Sequence, residues 1–369
     1  MSRAPTILAA ACTFPAGPSL ALADAAVRAS LSLQQYHPDY FDTAGERTRI
    51  SAFPLAAPFD SDRWWLLAEA VLAQLNTALA EQPAPTRRQL WLVLPETRGR
   101  PGLPANLQTH LQARLEGSTG PWQHIEVVTG GHAAGVQALM QASEAVQRDP
   151  ATLAIVLAVE AGLSKEALFW LDMQGLLHGA SQPWKGRTRA NPYGRIPGEG
   201  AAAIALGGHA PNTQGWASLL GCATAMEPNT HRHSQPCTGK GLYLAARQAL
   251  TQAGQHRPAK VDTITADLNG EPYRADQFGF TALRLGEHLA EDWQRSTPAL
   301  SSGDLGCATA VVHVALAAYA QWQRSSQAHH LVLASSDDSL RGAAIVGTLQ
   351  PISLQPEVRP WRSPSTSTA

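Results

Sequence analysis

Residues 193–208 read YGRIPGEGAAAIALGG. Gly194, Gly198 and Gly200 surround Glu199 in a turn, and the chain then runs into small and aliphatic residues over 201–208 without a charge. That is the pattern of a strand covered on both faces. Upstream, ATLAIVLAVE (151–160) is another nearly continuous apolar run, with Glu160 at its end. Upstream again, VVTGGHAAGVQALMQA (127–142) passes from a strand through small residues into an Ala-rich helix, expected over 132–147. Strand, helix and buried strand in succession predict an α/β fold built in layers.

The rest of the chain continues the alternation. A helix is expected over 64–82, ended by Pro83 and Pro85, and strands over 89–94 and 123–128. The second half predicts strands at 217–225, 261–268, 329–336 and 342–349, and helices at 239–254, 271–290 and 304–325. GGHAAGVQALMQAS (130–143) and SGDLGCATAVVHVALAAY (302–319) both open with small residues, continue as Ala-rich helices and lie between strands. The echo predicts two similar halves, divided as 1–208 and 209–350, with 351–369 a loose tail rich in Pro, Ser and Thr.

Composition narrows the function. Of 369 residues, 28 are Lys or Arg and 29 are Asp or Glu, a net charge of −1 without the basic excess of a nucleic-acid binder. No stretch of about 20 apolar residues free of charge occurs, so no membrane span is expected. The four cysteines, Cys12, Cys222, Cys237 and Cys307, form no CxxC pair and no disulfide framework, which points to a reducing, cytoplasmic setting. The N-terminal MSRAPTILAAACTFPAG is read as a first strand and not an export signal. His231, His233 and Cys237 share one loop without a second ligand pair at zinc-site spacing, so no metal is expected. No phosphate-binding glycine loop follows a strand, so no nucleotide cofactor is expected either.

The segments 127–142, 154–162 and 193–208, in that order, resemble the β-ketoacyl synthase branch of the thiolase superfamily. The resemblance extends more weakly from about Ala52 to Leu349. It implies a thiolase-like five-layer αβαβα fold with two pseudo-equivalent halves. It also implies a dimer paired through the strand at 123–128, either with itself or with a related ketosynthase-like subunit.

The resemblance further implies where chemistry should lie. Such enzymes hold a cysteine thiolate at the N-terminus of the buried helix, two histidines (or a histidine and an asparagine) for decarboxylation, and a glycine-rich backbone donor. Here His132 stands at the cysteine's place and Asp267 at the first histidine's. Asp304 or Gly303 stands at the second, and SSDDSLRGAA (335–344) replaces the glycine-rich loop. His132 reads as a base, an acyl-binding group or a helix-start histidine in a retired pocket. An anionic aspartate cannot donate a hydrogen bond to an enolate. Cys307 is the candidate rescue nucleophile. The pocket is expected to include Thr129, Glu160, Glu199, Asn269, Glu271, Arg274, Ser335 and Asp337, with Asp267, Glu271 and Arg274 either in an ion-pair network or at a solvated helix start.

Two functions follow. One is a ketosynthase-like pseudoenzyme that lacks the Cys-His-His site and acts as a binding or accessory subunit for a protein partner, a carrier protein among them, or for an acyl chain, in the manner of chain-length factors. NGEPYRA (269–275) also resembles degenerate ketosynthase-like proteins among type VI secretion accessory genes, which would make a secretion effector the partner. The other is an active acyltransferase or β-ketoacyl-carrier-protein synthase with an unusual site, whose partner would be a carrier protein.

Overall fold

The computed structural model describes residues 4–54, 58–80, 82, 87–97, 99–118, 121–208, 214–230, 232–256, 260–324 and 329–349. The first half contains β1 (Thr6–Thr13), α1 (Leu20–Arg28), β2 (Gln35–Phe41), β3 (Arg47–Ile50), α2 (Ser61–Ala78), β4 (Arg87–Leu94) and α3 (Leu107–Ser118). It continues with β5 (His124–Thr129), α4 (Ala134–Arg148), β6 (Thr152–Glu160), α5 (Lys165–Met173), β7 (Ser181–Trp184), β8 (Arg187–Ala190) and β9 (Gly200–Gly207). The second contains β10 (Ala217–Met226), α6 (Lys240–His256), β11 (Val261–Ala266), α7 (Pro272–Arg284), β12 (Leu289–Ser296), α8 (Ala299–Ser302), α9 (Thr309–Arg324), β13 (His329–Ser335) and β14 (Leu340–Gly347).

The strand order is β12-β11-β13-β14-β10-β1-β9-β6-β4-β5. Split between β10 and β1, it gives two five-stranded sets with the same plan. In the first, β1 and β6 flank β9 antiparallel, while β4 runs parallel to β6 and β5. In the second, β10 and β13 flank β14 antiparallel, while β11 runs parallel to β13 and β12. Among the described residues the sets are joined strand to strand by two pairs, Thr6 with Ser218 and Ile7 with Ala217.

Burial explains the layers. β1, β6 and β9 are buried along their whole length, as their apolar runs predict. One face of the first set packs on α2 and α3, through Trp64, Leu67, Leu75, Leu111 and Leu115. An outer face of the second packs on α6 and α7. Between the sets lie α4 and α9, whose Ala and Val side chains fill one continuous core. The helices cross at Gly135: a Cβ there would stand 2.7 Å from Val311 Cγ2 and 3.1 Å from Ala310 Cβ. These are the five expected layers, and the echo of 130–143 in 302–319 is the matched pair α4 and α9.

Two expectations change, and further elements are added. The helix expected over 271–290 ends at Arg284, and Leu289–Ser296 forms β12. This edge strand carries Glu291, Asp292 and Arg295 to solvent, so its sequence lacks strand-like apolar content. The helix expected from 304 starts at Thr309, because Gly303 (φ +71°) and Gly306 (φ +46°) bend the backbone where Asp304 Oδ1 accepts from the Gly306 amide at 2.8 Å. The hairpin strands β2, β3, β7 and β8, and helices α1, α3 and α5, add to the sequence-based outline. The tail expected at 351–369 lies outside the described residues, as does His231.

Candidate functional site

The C-terminal ends of the parallel strands β5, β6 and β13 open toward one cleft, the place where open α/β sheets present their ligand-binding turns. After β5 comes His132, two residues before α4; β6 ends at Glu160; Asp267 follows β11; Asp337 follows β13. The cleft has a volume of about 210 Å³, and His132, Glu160, Arg195, Asp304, Cys307 and Asp337 are among the residues around it.

His132 is 3% exposed, and both of its ring nitrogens have a partner. Nε2 lies 2.8 Å from Asp304 Oδ1, and Nδ1 lies 3.3 Å from Arg274 Nη2. Arg274, 1% exposed, also reaches Asp267 Oδ2 at 2.6 Å, Glu271 Oε2 at 2.8 Å, Asp337 Oδ1 at 2.8 Å and the Ser335 carbonyl. Arg195 bridges Glu271 Oε1 and Asp337 Oδ1, each at 2.8 Å, and lies 3.4 Å from Asp304 Oδ2. Asn269 donates to Glu271 Oε2 at 2.9 Å and to Asp304 Oδ2. Two guanidiniums thus serve four carboxylates in a nearly closed space.

The electrostatics follow from this crowding. Burial pushes the carboxyls of Asp304, Glu271 and Asp337 up. For Asp304, His132 and Arg195 outweigh it and hold the group well below the usual carboxylate range. For Glu271 and Asp337, Arg195 and Arg274 lower them in the same way. Burial opposes the charge on Arg274 and Arg195, but the surrounding carboxylates hold both guanidiniums firmly protonated.

A second pair closes the other wall. Arg100 grips Glu160 with two bonds, at 2.9 and 3.0 Å. Cys307 is fully buried beside them, and its thiol donates to the Val159 carbonyl at 3.1 Å. Burial, and then the Glu160 charge, push that thiol well above its ordinary pKa, so the nucleophilic thiolate is disfavoured.

The residues read from sequence distribute unevenly. His132, Asp267, Asn269, Glu271, Arg274, Asp304 and Asp337 form one connected network, and Asp304, not Gly303, supplies its side chain. Ser335 serves it through its backbone, its amide donating to Asp267 at 2.6 Å. Two expected pocket residues are placed differently. Thr129 is exposed at the end of β5, away from the cleft lining. Glu199 is fully buried away from the cleft, held by Arg63 Nε and Nη2 at 2.6 Å each, and accepts from the Phe53 amide at 2.6 Å. It braces the turn before β9. Arg100 and Arg195 join the site from outside the sequence-based set; Arg195 sits inside the GRIPGEG turn itself, where a cation among glycines is the available signal.

No family model matches the chain, and no curated protein matches it by sequence. Solved structures do. The ishigamide ketosynthase/chain length factor superposes with a TM-score of 0.69 at 17% identity, covering 94% of this chain and all of that one. A type II polyketide acyl-carrier protein in complex with its ketosynthase gives 0.73 at 13% identity, over 95% of this chain and 100% of the other. The ketosynthase from module 6 of the Bacillus subtilis 168 bacillaene synthase gives 0.71 at 12% identity, over 94% and 72%. The fold is that of a ketosynthase. On this fold, the strand-to-helix turn that leads into α4 presents an imidazole locked in an ion-pair network. Among the described residues there is no metal-binding cluster of His, Cys, Asp and Glu, and no helix long and apolar enough to cross a membrane.

Proposed function

We propose that this ketosynthase-fold protein binds a partner and performs no condensation. The observation that carries this reading is His132. At the place where the resemblance expects a thiolate stands a buried ring with a partner on each nitrogen. Neither ring nitrogen is free of a neighbour, so the ring is not placed to approach a thioester. The groups at the two decarboxylation positions, Asp267 and Asp304, are ion-paired carboxylates, which repel a developing enolate. Cys307 offers no rescue while its thiol is buried and protonated.

The partner is a second subunit of the same fold, identical or related. β5 supports this: among the described residues it pairs only with β4, and its other edge ends the sheet. One matched structure is a ketosynthase/chain length factor and another holds a ketosynthase with its carrier protein, which favours a role beside such components. The resemblance of NGEPYRA to secretion-associated proteins supports a partner-handling role as well. We place the division between halves at 208/209, a reading supported by the repeated strand plan.

The test is incubation of the purified protein with acyl- and malonyl-thioesters, followed by intact-protein mass and released CO₂. The expected result is no adduct and no CO₂. An acyl adduct on His132 or Cys307 that turns over with a malonyl donor would overturn the reading and restore the enzyme.

A further inference from the structure

Cys237 lies in the loop between β10 and α6, flanked by the exposed Pro236 and Thr238. It is half-buried, whereas Cys12, Cys222 and Cys307 are buried. Its thiol donates to Gln277 Oε1 at 3.5 Å. The same oxygen accepts from Arg341 Nε at 2.7 Å. Gln277, on α7, is fixed in this orientation by its own amide, which donates from Nε2 to Ser335 Oγ at 2.6 Å. A sulfur near the surface and a guanidinium from the sheet therefore converge on one carbonyl oxygen.

Arg341, near the start of β14, is fully buried. Its Nη1 donates to the carbonyls of Ser336, Asp338 and Leu340, at 2.9, 2.7 and 2.9 Å. Its Nη2 is also buried and has no partner among the described residues. Nε and Nη2 lie on one side of the planar guanidinium and point the same way, so the unused donor sits beside the oxygen that the thiol reaches. The thiol itself cannot serve that donor, because sulfur is a weak acceptor. An oxygen bound to the sulfur can, and a guanidinium makes a strong, charge-assisted bond to it. We propose that Cys237 is a modification site for hydroperoxides, and that Arg341 holds the sulfenic acid formed there. The sulfur attacks one peroxide oxygen, and the O–O bond breaks as the S–O bond forms. Sulfur gives up two electrons, the peroxide takes them, and the thiol proton leaves with the second oxygen as water or an alcohol. The new S–O–H group donates to Gln277 Oε1 in place of the thiol, and its oxygen accepts from Arg341 Nη2. Exposure selects this cysteine, since oxidation needs contact with the peroxide and the other three thiols are buried.

The test treats the full chain with hydrogen peroxide and dimedone, which traps sulfenic acids, and reads the adduct by peptide mass. Cys237 should carry the adduct, and the three buried cysteines should not. Arg341→Lys keeps the charge and loses the fork. Trapping at Cys237 under limiting peroxide should then slow about tenfold, the worth of one hydrogen bond to a charged group. A crystal structure of the peroxide-treated full chain should show an oxygen on Sγ within hydrogen-bond distance of Arg341 Nη2. That structure decides the matter should Arg341→Lys fail to fold. A chain left without an adduct at Cys237 overturns the proposal. So does equal trapping in the folded variant, or an oxygen on Sγ that turns away from Arg341 to solvent.

Discussion

Arg274 touches three carboxylates and a backbone carbonyl from a position with 1% exposure, so its removal strands charge that water cannot reach. Arg274→Met should destabilise the fold by about 3–5 kcal/mol in chemical denaturation, the range for breaking a buried ion pair from one side. The cysteines make a second residue-scale prediction. Cys12, Cys222 and Cys307 are buried and Cys237 is half-buried. Burial pushes the Cys222 thiol up to about 12 and the Cys307 thiol well above its ordinary value. Native alkylation at pH 8 should therefore label Cys237 alone, read by peptide mass; fast labelling of Cys307 would show an accessible thiolate. His313 sets a pH dependence. Burial lowers it to about 3, below the unfolded value of about 6.5. The unfolded chain then binds a proton that the native chain does not, so stability is full above pH 6.5 and falls by up to about 1.4 kcal/mol per unit below it. His37, also lowered by burial, acts in the same direction. Asp304, Glu271 and Asp337, held low in the fold, add their losses as the pH drops below about 4. His313→Gln should flatten the slope between pH 6.5 and 5 while leaving the steeper acid limb in place.

Helix α4 meets α9 with no room for a methyl group at Gly135, whereas Gly279 on α7 has open space around it. Gly135→Ala should cost about 1–3 kcal/mol through overpacking. Gly279→Ala, at a helical position without strain, should add about 0.4–1 kcal/mol instead, and thermal melts of the two variants separate the effects. The same contrast shows what was legible at this scale. Strands β6, β9 and β13 announce themselves as apolar runs because they are buried on both faces. α4 and α9 are legible because helices sandwiched between sheets must be built from small residues. β12 carried no such signal, since its partner on one side is solvent. The site was half legible for a similar reason. His132 and Asp267 follow strands and Asp304 follows a short helix, places where a sequence can be read locally. Arg195 and Arg100 reach partners 76 and 60 residues away, and nothing local in a sequence encodes such pairings.

The molecule as a whole ends in two unlike edges. β12 is studded with charge, the usual defence of an exposed strand, while β5 sets Ile125 and Val127 beside a single carboxylate, Glu126. Light scattering or sedimentation should give about twice 39.2 kDa, or a complex with a related subunit, and Val127→Lys should shift either toward the single chain. A monomer insensitive to that change and to added ketosynthase subunits would remove β5 as the interface. The narrow seam between the sheets carries a different implication. Ser218 pairs with Thr6 on one side and with Gly347 on the other. The first and last described strands are therefore two strand spacings apart, about 10 Å, a gap that about three or four residues can bridge. The two halves can be read as a ring that happens to be cut at that point. A circular permutant opened between β9 and β10, with a short linker joining Leu349 to Ala4, should fold with the same cooperative unfolding transition, because the order in which two matched halves are strung leaves every layer where it was.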